Sequence, residues 1–313
     1  MTREEIMNSI ALKKRFCKDC SLPIAIFDNP YFHERLQTLD VLYDCVHKFD
    51  AFCDELQSFA NEQEYFEHYN KVKDSMVEFI KGKSEYNSFI NSSFPVEPIV
   101  SRKELYIDDN DDRAFISIDM KKANFSALNH FSHEIFDNAE SWEQFVSKFT
   151  DCQHIINSKY VRQVVLGSCN PKKQITYERY LMNILCIHIM DNIPNASIYS
   201  LGEDEILINV PREYGVGCGF SLSDLKKTVE SCPDDIGKLV RVEMFEFFKI
   251  KGTDGFIKIY DDFDREEFKC LNSEIFHQVV KHFYGKKITD NDLVFYHNGR
   301  LAKFVEGIDN PWS

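Results

Sequence analysis

Residues 114–125, AFISIDMKKANF, and residues 197–210, SIYSLGEDEILINV, decide how this chain is read. In the first, Phe115, Ile116 and Ile118 make the β-branched and aromatic run of a buried strand. Asp119 follows where the chain turns toward a helix beginning near Asn124. In the second, Ile198 and Tyr199 lead into Gly202, Glu203 and Asp204, and Glu205 starts a return strand through Ile206, Leu207, Ile208 and Val210. Each stretch delivers an acid to a strand end or turn.

Two carboxylates on adjacent strand ends repel each other unless positive charge lies between them, and a hard divalent cation takes carboxylate oxygens readily. Asp119 and Asp204 therefore point to a metal site for Mg²⁺ or Mn²⁺. The order strand-Asp-helix, basic helix, acidic hairpin resembles the palm of template-dependent nucleic-acid polymerases, most like motifs A, B and C of DNA polymerase family A. That resemblance spans about residues 110–210. It implies Asp119 as first metal ligand, Asp204 as second, and Glu205 beside them in the catalytic group. It also implies a nucleoside triphosphate as substrate and a nucleic-acid primer and template as partners. Asn124, five positions after the first aspartate, falls where such enzymes sense the sugar 2′ position. It is neither the glutamate of family A nor the aromatic of reverse transcriptases, which leaves the sugar preference open. The motif B helix rests on Arg162, Gly167 and Lys172 or Lys173, and by the resemblance these bases bind triphosphate. Val165 and Leu166 lie where the family has a lysine, and the alternative for the bases is a solvated helix face.

The chain has 313 residues, 43% hydrophobic and 14% aromatic, which is a globular composition with room for two domains. The N-terminal stretch MTREEIMNSIALKKRF lacks a signal-peptide core, and no run approaches the roughly 20 apolar residues of a membrane span. A soluble, intracellular protein without a membrane partner is expected. Net charge is −14, against coating nucleic acid by bulk electrostatics. Residues 158–182 depart from this, with five bases (Lys159, Arg162, Lys172, Lys173, Arg179) against Glu178 alone. Of ten cysteines only Cys17 and Cys20 form a CxxC. With Cys45, His47 and Cys53 they offer a zinc set, but the second half lacks zinc-ligand spacing, so buried thiols are the alternative.

Helical periodicity marks residues 2–16, then Leu36, Leu39, Tyr43, Val46 and Phe49 behind a cap at Asp28 or Asn29, then Tyr65, Tyr69, Val72, Met76 and Phe79 behind a cap at Asn61. Residues 82–98 lose all periodicity and mark a boundary. The acids of 108–112, DDNDD, read as a solvated turn. Short helices are expected over 142–149 and 158–167, and a longer one from Tyr177 to Met190 with Lys172 and Lys173 at its start, where free backbone N–H groups suit phosphate. Beyond the acidic hairpin, residues 239–250 and 255–260 alternate as strands, and Asn298-Gly299 signals a type I′ turn. Glu243 is a further carboxylate on that sheet, read either as a third metal ligand or as an exposed-face residue. The glycine-rich run 215–219 has no βαβ context and reads as a loop, and no P-loop, HExxH or GxSxG occurs.

The expected fold is α+β, an N-terminal helical domain (1–95) followed by a palm-like antiparallel sheet with packed helices and a C-terminal mixed extension (99–313). The expected activity is metal-dependent nucleotidyl transfer onto a nucleic-acid 3′ end, with a metal-dependent nuclease or a non-catalytic interaction protein on a palm-like scaffold as alternatives.

Overall fold

The structure is a computed structural model that describes residues 1–210, 220–261 and 265–312. The glycine-rich run 215–219 lies outside the described residues. Among them, no helix is long and apolar enough to cross a membrane.

The helices come first: α1 Arg3–Asn8, α2 Ile10–Asp19, α3 Tyr31–Tyr43, α4 Cys45–Leu56, α5 Glu62–Gly82 and α6 Ser84–Asn91. Local chemistry explains much of this. Asn61 caps α5 by accepting the Glu64 N–H at 2.9 Å, and Tyr65, Tyr69, Val72, Met76 and Ile80 make its buried stripe. Three expectations need correcting. The single helix expected over residues 2–16 is two, α1 and α2, because Ser9 takes an extended conformation and caps α2 by accepting the Leu12 N–H. The helix expected through Phe49 breaks at Asp44, which takes a left-handed conformation (φ 48°) and lets the chain restart as α4. Neither Asp28 nor Asn29 caps α3: its N-cap is Pro30, and the Asn29 Oδ1 accepts from Lys13 Nζ instead. The aperiodic segment 82–98 also contains α6, whose Phe89 packs edge-on against Phe131 and Tyr177 at ring distances of 5.2 and 5.7 Å. One buried apolar cluster accordingly runs from Ile6 to Val280, across the sequence boundary.

The sheet is built around β1 Arg113–Met120. Lys122, at φ 48°, turns the chain from β1 into α7 Ala123–Phe131, followed by α8 Trp142–Val146, α9 Gln153–Ile156, α10 Lys159–Gly167 and α11 Pro171–Asn192. The hairpin β2 Ile198–Leu201 and β3 Glu205–Val210 comes next, then α12 Leu222–Glu230, β4 Val240–Lys249, β5 Phe256–Tyr260 and β6 Glu266–Lys269. All pairs are antiparallel and the order is β2-β3-β1-β4-β5-β6. Within it, β1, a helical crossover, the β2–β3 hairpin, α12 and β4 form a split βαβ unit. The chain closes with α13 Phe276–Phe283 and a separate hairpin, β7 Val294–His297 and β8 Arg300–Lys303, whose Asn298 and Gly299 both have positive φ as a type I′ turn demands. The molecule is therefore α+β, with helices at the N-terminus and helices packed on an antiparallel sheet.

Alternation along β1 sets the two faces of the sheet. Ile116, Ile118 and Met120 join Ile206, Ile208 and Val240 in the main core, with residues of α7, α11 and α12. Phe115 faces the other way and joins Leu207, Phe245, Phe247 and Phe256 in a smaller cluster covered by Leu105 and Tyr106. Asp119 shares that second face, at its uncovered end.

A buried carboxylate connects the N-terminal helices to α10. Asp19, with no exposed side-chain surface, accepts from Arg15 at 3.0 Å, Tyr69 at 2.9 Å and Ser158 at 2.8 Å, and pairs with His154 at 2.9 Å. Ser158 is also the N-cap of α10, accepting the Val161 N–H. Removing one member of such a network leaves its partners unpaired in the interior. Asp19→Ala should lower the unfolding free energy by roughly 3–5 kcal/mol in urea titrations. A loss under 1 kcal/mol would show that Asp19 does not anchor α10.

Candidate functional site

The ladder around β1 brings the acids together. Asp119 stands opposite Glu205 on β3 and opposite Arg241 on β4. Asp204 is held one step further along, its carbonyl accepting the Met120 N–H at 2.9 Å. The hairpin tip closes with the Gly202 N–H on the Glu205 carbonyl at 2.8 Å, where a side chain at Gly202 would place its Cβ 3.2 Å from that oxygen. Arg102 draws Glu203 aside by a salt bridge of 2.6 Å.

Above these strand ends lies a cleft of about 750 Å³, within the range of small-ligand sites. Asp119 and Asp204 line it, together with Lys122 and Asn124 at the start of α7. α10 contributes Lys159 and Arg162, α11 contributes Gln174 and Glu178, and β4 contributes Arg241. Acids from three elements thus face bases from three others.

Burial raises the Asp119 carboxyl above its ordinary value; Arg241 pulls it back, and Glu205 pushes it up again. Arg241 donates to Asp119 Oδ2 from Nε at 3.0 Å and lies 2.8 Å away through Nη2, while its Nε is also 3.2 Å from Glu243. Asp204 is raised by burial and then by Glu205. Glu178 is raised to about 7, by burial first and then by the negative charges of Asp204 and Glu203. Glu205 accepts from Ser117 Oγ at 2.6 Å and lies 3.9 Å from buried Lys258. Arg162 is lowered by burial, partly offset by Glu143, and its Nε has no hydrogen-bond partner among the described residues.

The structure distributes the sequence-derived residues unevenly. Asp119, Asp204, Asn124 and Arg162 share the cleft. The Asn124 amide oxygen accepts the Phe125 N–H at 3.0 Å. Lys172 and Lys173 do not line the cleft: Lys173 binds the Ser92 carbonyl and lies over the Phe94 ring at 5.0 Å, and Lys172 is exposed. Helix geometry is the reason. Pro171, Gln174, Ile175 and Glu178 face the cleft at the i, i+3, i+4, i+7 spacing of one helix stripe, and positions 172 and 173 fall off it. Glu243 is occupied by Arg241 and by Arg265 at 2.9 Å. Of the 108–112 acids, Asp108 pairs with Lys249 at 3.0 Å and Asp111 accepts its backbone N–H at 2.7 Å. Lys159, Glu178 and Arg241 are cleft residues to which the sequence assigned no individual role. The signal for Glu178 was an acid beside Tyr177 and Leu181 in an apolar-periodic helix.

Asp119, half-buried, and Asp204, exposed at the hairpin tip, both offer carboxylate oxygens to a hard divalent cation from one cleft, and Asp119 is already paired with Arg241. Among the described residues no three of His, Cys, Asp and Glu gather into a metal-holding group, so further ligands would come from substrate or water. The same holds for the zinc alternative, where burial pushes the Cys20 and Cys45 thiols up to about 12. No protein-family model matches the chain, and no curated protein and no solved structure matches it.

The Glu178 shift has a thermodynamic consequence. Its folded pKa of about 7 lies above the ordinary 4.5, so the folded chain binds the proton more tightly than the unfolded one. This contribution to stability is full below the unfolded pKa and is lost as pH rises through the folded one. Glu178→Gln carries no titrating proton. It should exceed the parent in stability by about 2–3 kcal/mol at pH 8, with the gap closing by pH 4.5, in paired urea titrations. A gap independent of pH would place the Glu178 carboxyl in water.

Proposed function

We propose that the chain is a metal-dependent nucleotidyltransferase of polymerase-like type, adding nucleotides from triphosphates to a nucleic-acid 3′ end. The observation that carries this reading is the single cleft in which Asp119 and Asp204, from the central strand and the neighbouring hairpin of a split βαβ sheet, face Lys159 and Arg162. Asp119 and Asp204 are the residues that would hold Mg²⁺ or Mn²⁺, which when bound supplies charge stabilisation for phosphoryl transfer. Arg162 and Lys159 balance triphosphate charge, because phosphoryl transfer is driven mainly by positioning and electrostatics. Glu205, bonded to Ser117, stands directly across the ladder from Asp119 and supports the metal pair from the sheet. Asn124 borders the nucleotide from the start of α7. An acidic chain suits a local nucleic-acid contact at the cleft over a broad electrostatic one.

A second reading has its own observation. Arg241 already lies on Asp119 and supplies the positive charge that a metal ion would bring, as a non-catalytic scaffold requires. Incubation with Mg²⁺ or Mn²⁺, labelled triphosphates and a primed template separates the readings. Extension supports the transferase, degradation of the primer a nuclease, and no turnover the scaffold.

Asp119→Asn should reduce nucleotide addition at least 100-fold with an unchanged melting temperature, since it removes charge and little shape. Wild-type turnover in that variant would end the metal-pair proposal. Arg162→Ala should weaken triphosphate binding about tenfold, the loss of a charged hydrogen bond, whereas Lys172→Ala with Lys173→Ala should bind like the parent. The opposite ranking would return the triphosphate to the start of α11.

A further inference from the structure

The two carboxylates offered to a cation are not equally open. Among the described residues no ion pair reaches the Asp204 side chain, whereas Arg241 contacts Asp119 twice, from Nη2 at 2.8 Å and from Nε at 3.0 Å, both on Oδ2. Oδ1 takes neither contact. A cation there would still face the guanidinium across one carboxylate, where like charges repel.

β4 supplies a second place for Arg241. Arg241 and Glu243 stand two residues apart on that strand, on one face of the sheet, and Arg241 lies directly across the ladder from Asp119. Its Nε is 3.2 Å from Glu243 Oε2, so it already touches the second acid. Glu243 is itself fixed, because its Oε1 binds Arg265 at 2.9 Å and the Arg265 guanidinium lies 3.6 Å from the centre of the Tyr260 ring. The Arg241 side chain is 45% exposed at the cleft, so turning it from one acid to the other disturbs little packing, and ion pairs at such exposure contribute little.

We propose that Arg241 is a removable place-holder for the cation: it neutralises Asp119 in the metal-free chain and turns onto Glu243 when a divalent cation takes the Asp119 carboxylate. This rests on the nucleotidyltransferase reading and adds a control on its metal site. On the scaffold reading Arg241 is instead the permanent partner of Asp119.

The test is Mn²⁺ binding to the full chain, followed by electron paramagnetic resonance of the free ion, without nucleotide or nucleic acid. Arg241→Gln should bind Mn²⁺ about tenfold more tightly than the parent; Arg241→Ala serves if the glutamine variant does not fold. Lys122→Gln removes a cleft charge that pairs with Glu143 and does not touch Asp119, and should change affinity less than about threefold. Glu243→Gln should weaken binding about fivefold in the parent and hardly at all in the Arg241→Gln background, because the glutamate acts by receiving the guanidinium. A parent that binds no Mn²⁺ beside an Arg241→Gln that binds it through Asp119 also supports the place-holder. Equal gains in Arg241→Gln and Lys122→Gln, or a Glu243→Gln effect that is the same in both backgrounds, overturn it and leave the transferase reading standing. Unchanged or weaker binding in Arg241→Gln does the same. Binding that survives Asp119→Asn places the ion elsewhere, and absence of Mn²⁺ binding in both the parent and Arg241→Gln removes the metal pair; in either case the transferase reading falls and the inference falls with it.

Discussion

Hydrogen bonding of β1 on both sides is the constraint from which the rest of this molecule follows. A strand paired only with β3 would carry Asp119 beside Glu205 with nothing positive in reach. Pairing with β4 as well sets Arg241 directly across from Asp119, in the same ladder and on the same face. Register is decisive here, because side chains alternate with a period of two and a slip of one residue would turn Asp119 into the apolar face. The main core prevents that slip: Ile116, Ile118 and Met120 are buried with Ile206, Ile208 and Val240 beneath the helices, and none of them tolerates exchange with Ser117 or Asp119. Hydrophobic burial on one face of the sheet therefore positions the carboxylates on the other.

The open face of the sheet is a lattice of alternating charges. Arg241 bridges Asp119 and Glu243, Arg265 extends the chain from Glu243, and Lys258 lies under Glu205. Such a lattice holds acids together in a molecule of net charge −14, where long-range attraction to an anion is weak and screening limits reach to about 8 Å at physiological salt. What matters for an anionic ligand is then the local set of bases in the cleft. That set comes from α10, and α10 is held at its N-cap by Ser158 on the buried Asp19 of α2. The N-terminal helices thus reach the site through one carboxylate and one helix terminus.

Local chemistry was readable wherever it acts over a few residues. The strand ending at Asp119, the hairpin carrying Asp204 and Glu205, the cap at Asn61 and the turn at Asn298-Gly299 all follow from period-two alternation, capping and turn preferences. Where two local tendencies compete, the reading was less complete. Asp44 breaks an apolar stripe that by periodicity continues to Phe49, and Phe89 turns an aperiodic Ser- and Asn-rich segment into a packed helix because aromatic neighbours from α7 and α11 receive it. The basic segment shows the same limit. Its charge was plain, but charge counts carry no information on which side of a helix a lysine projects.

By itself, the sequence determined the fold class, the sheet strands as far as β5 and the placement of acids at two strand ends, because each depends on neighbours within about one hairpin or helix turn; the edge strand β6 was not legible in it. Only the tertiary structure decided that Arg162 and Lys159 face those acids while Lys172 and Lys173 do not, that Arg241 lies on Asp119, and that Glu178 enters the cleft with no hydrogen-bond or ion-pair partner among the described residues. Those facts depend on the angles at which α10, α11 and β4 meet the end of β1. The angles are set by the packing of one shared core, to which residues from Ile6 to Val280 all contribute.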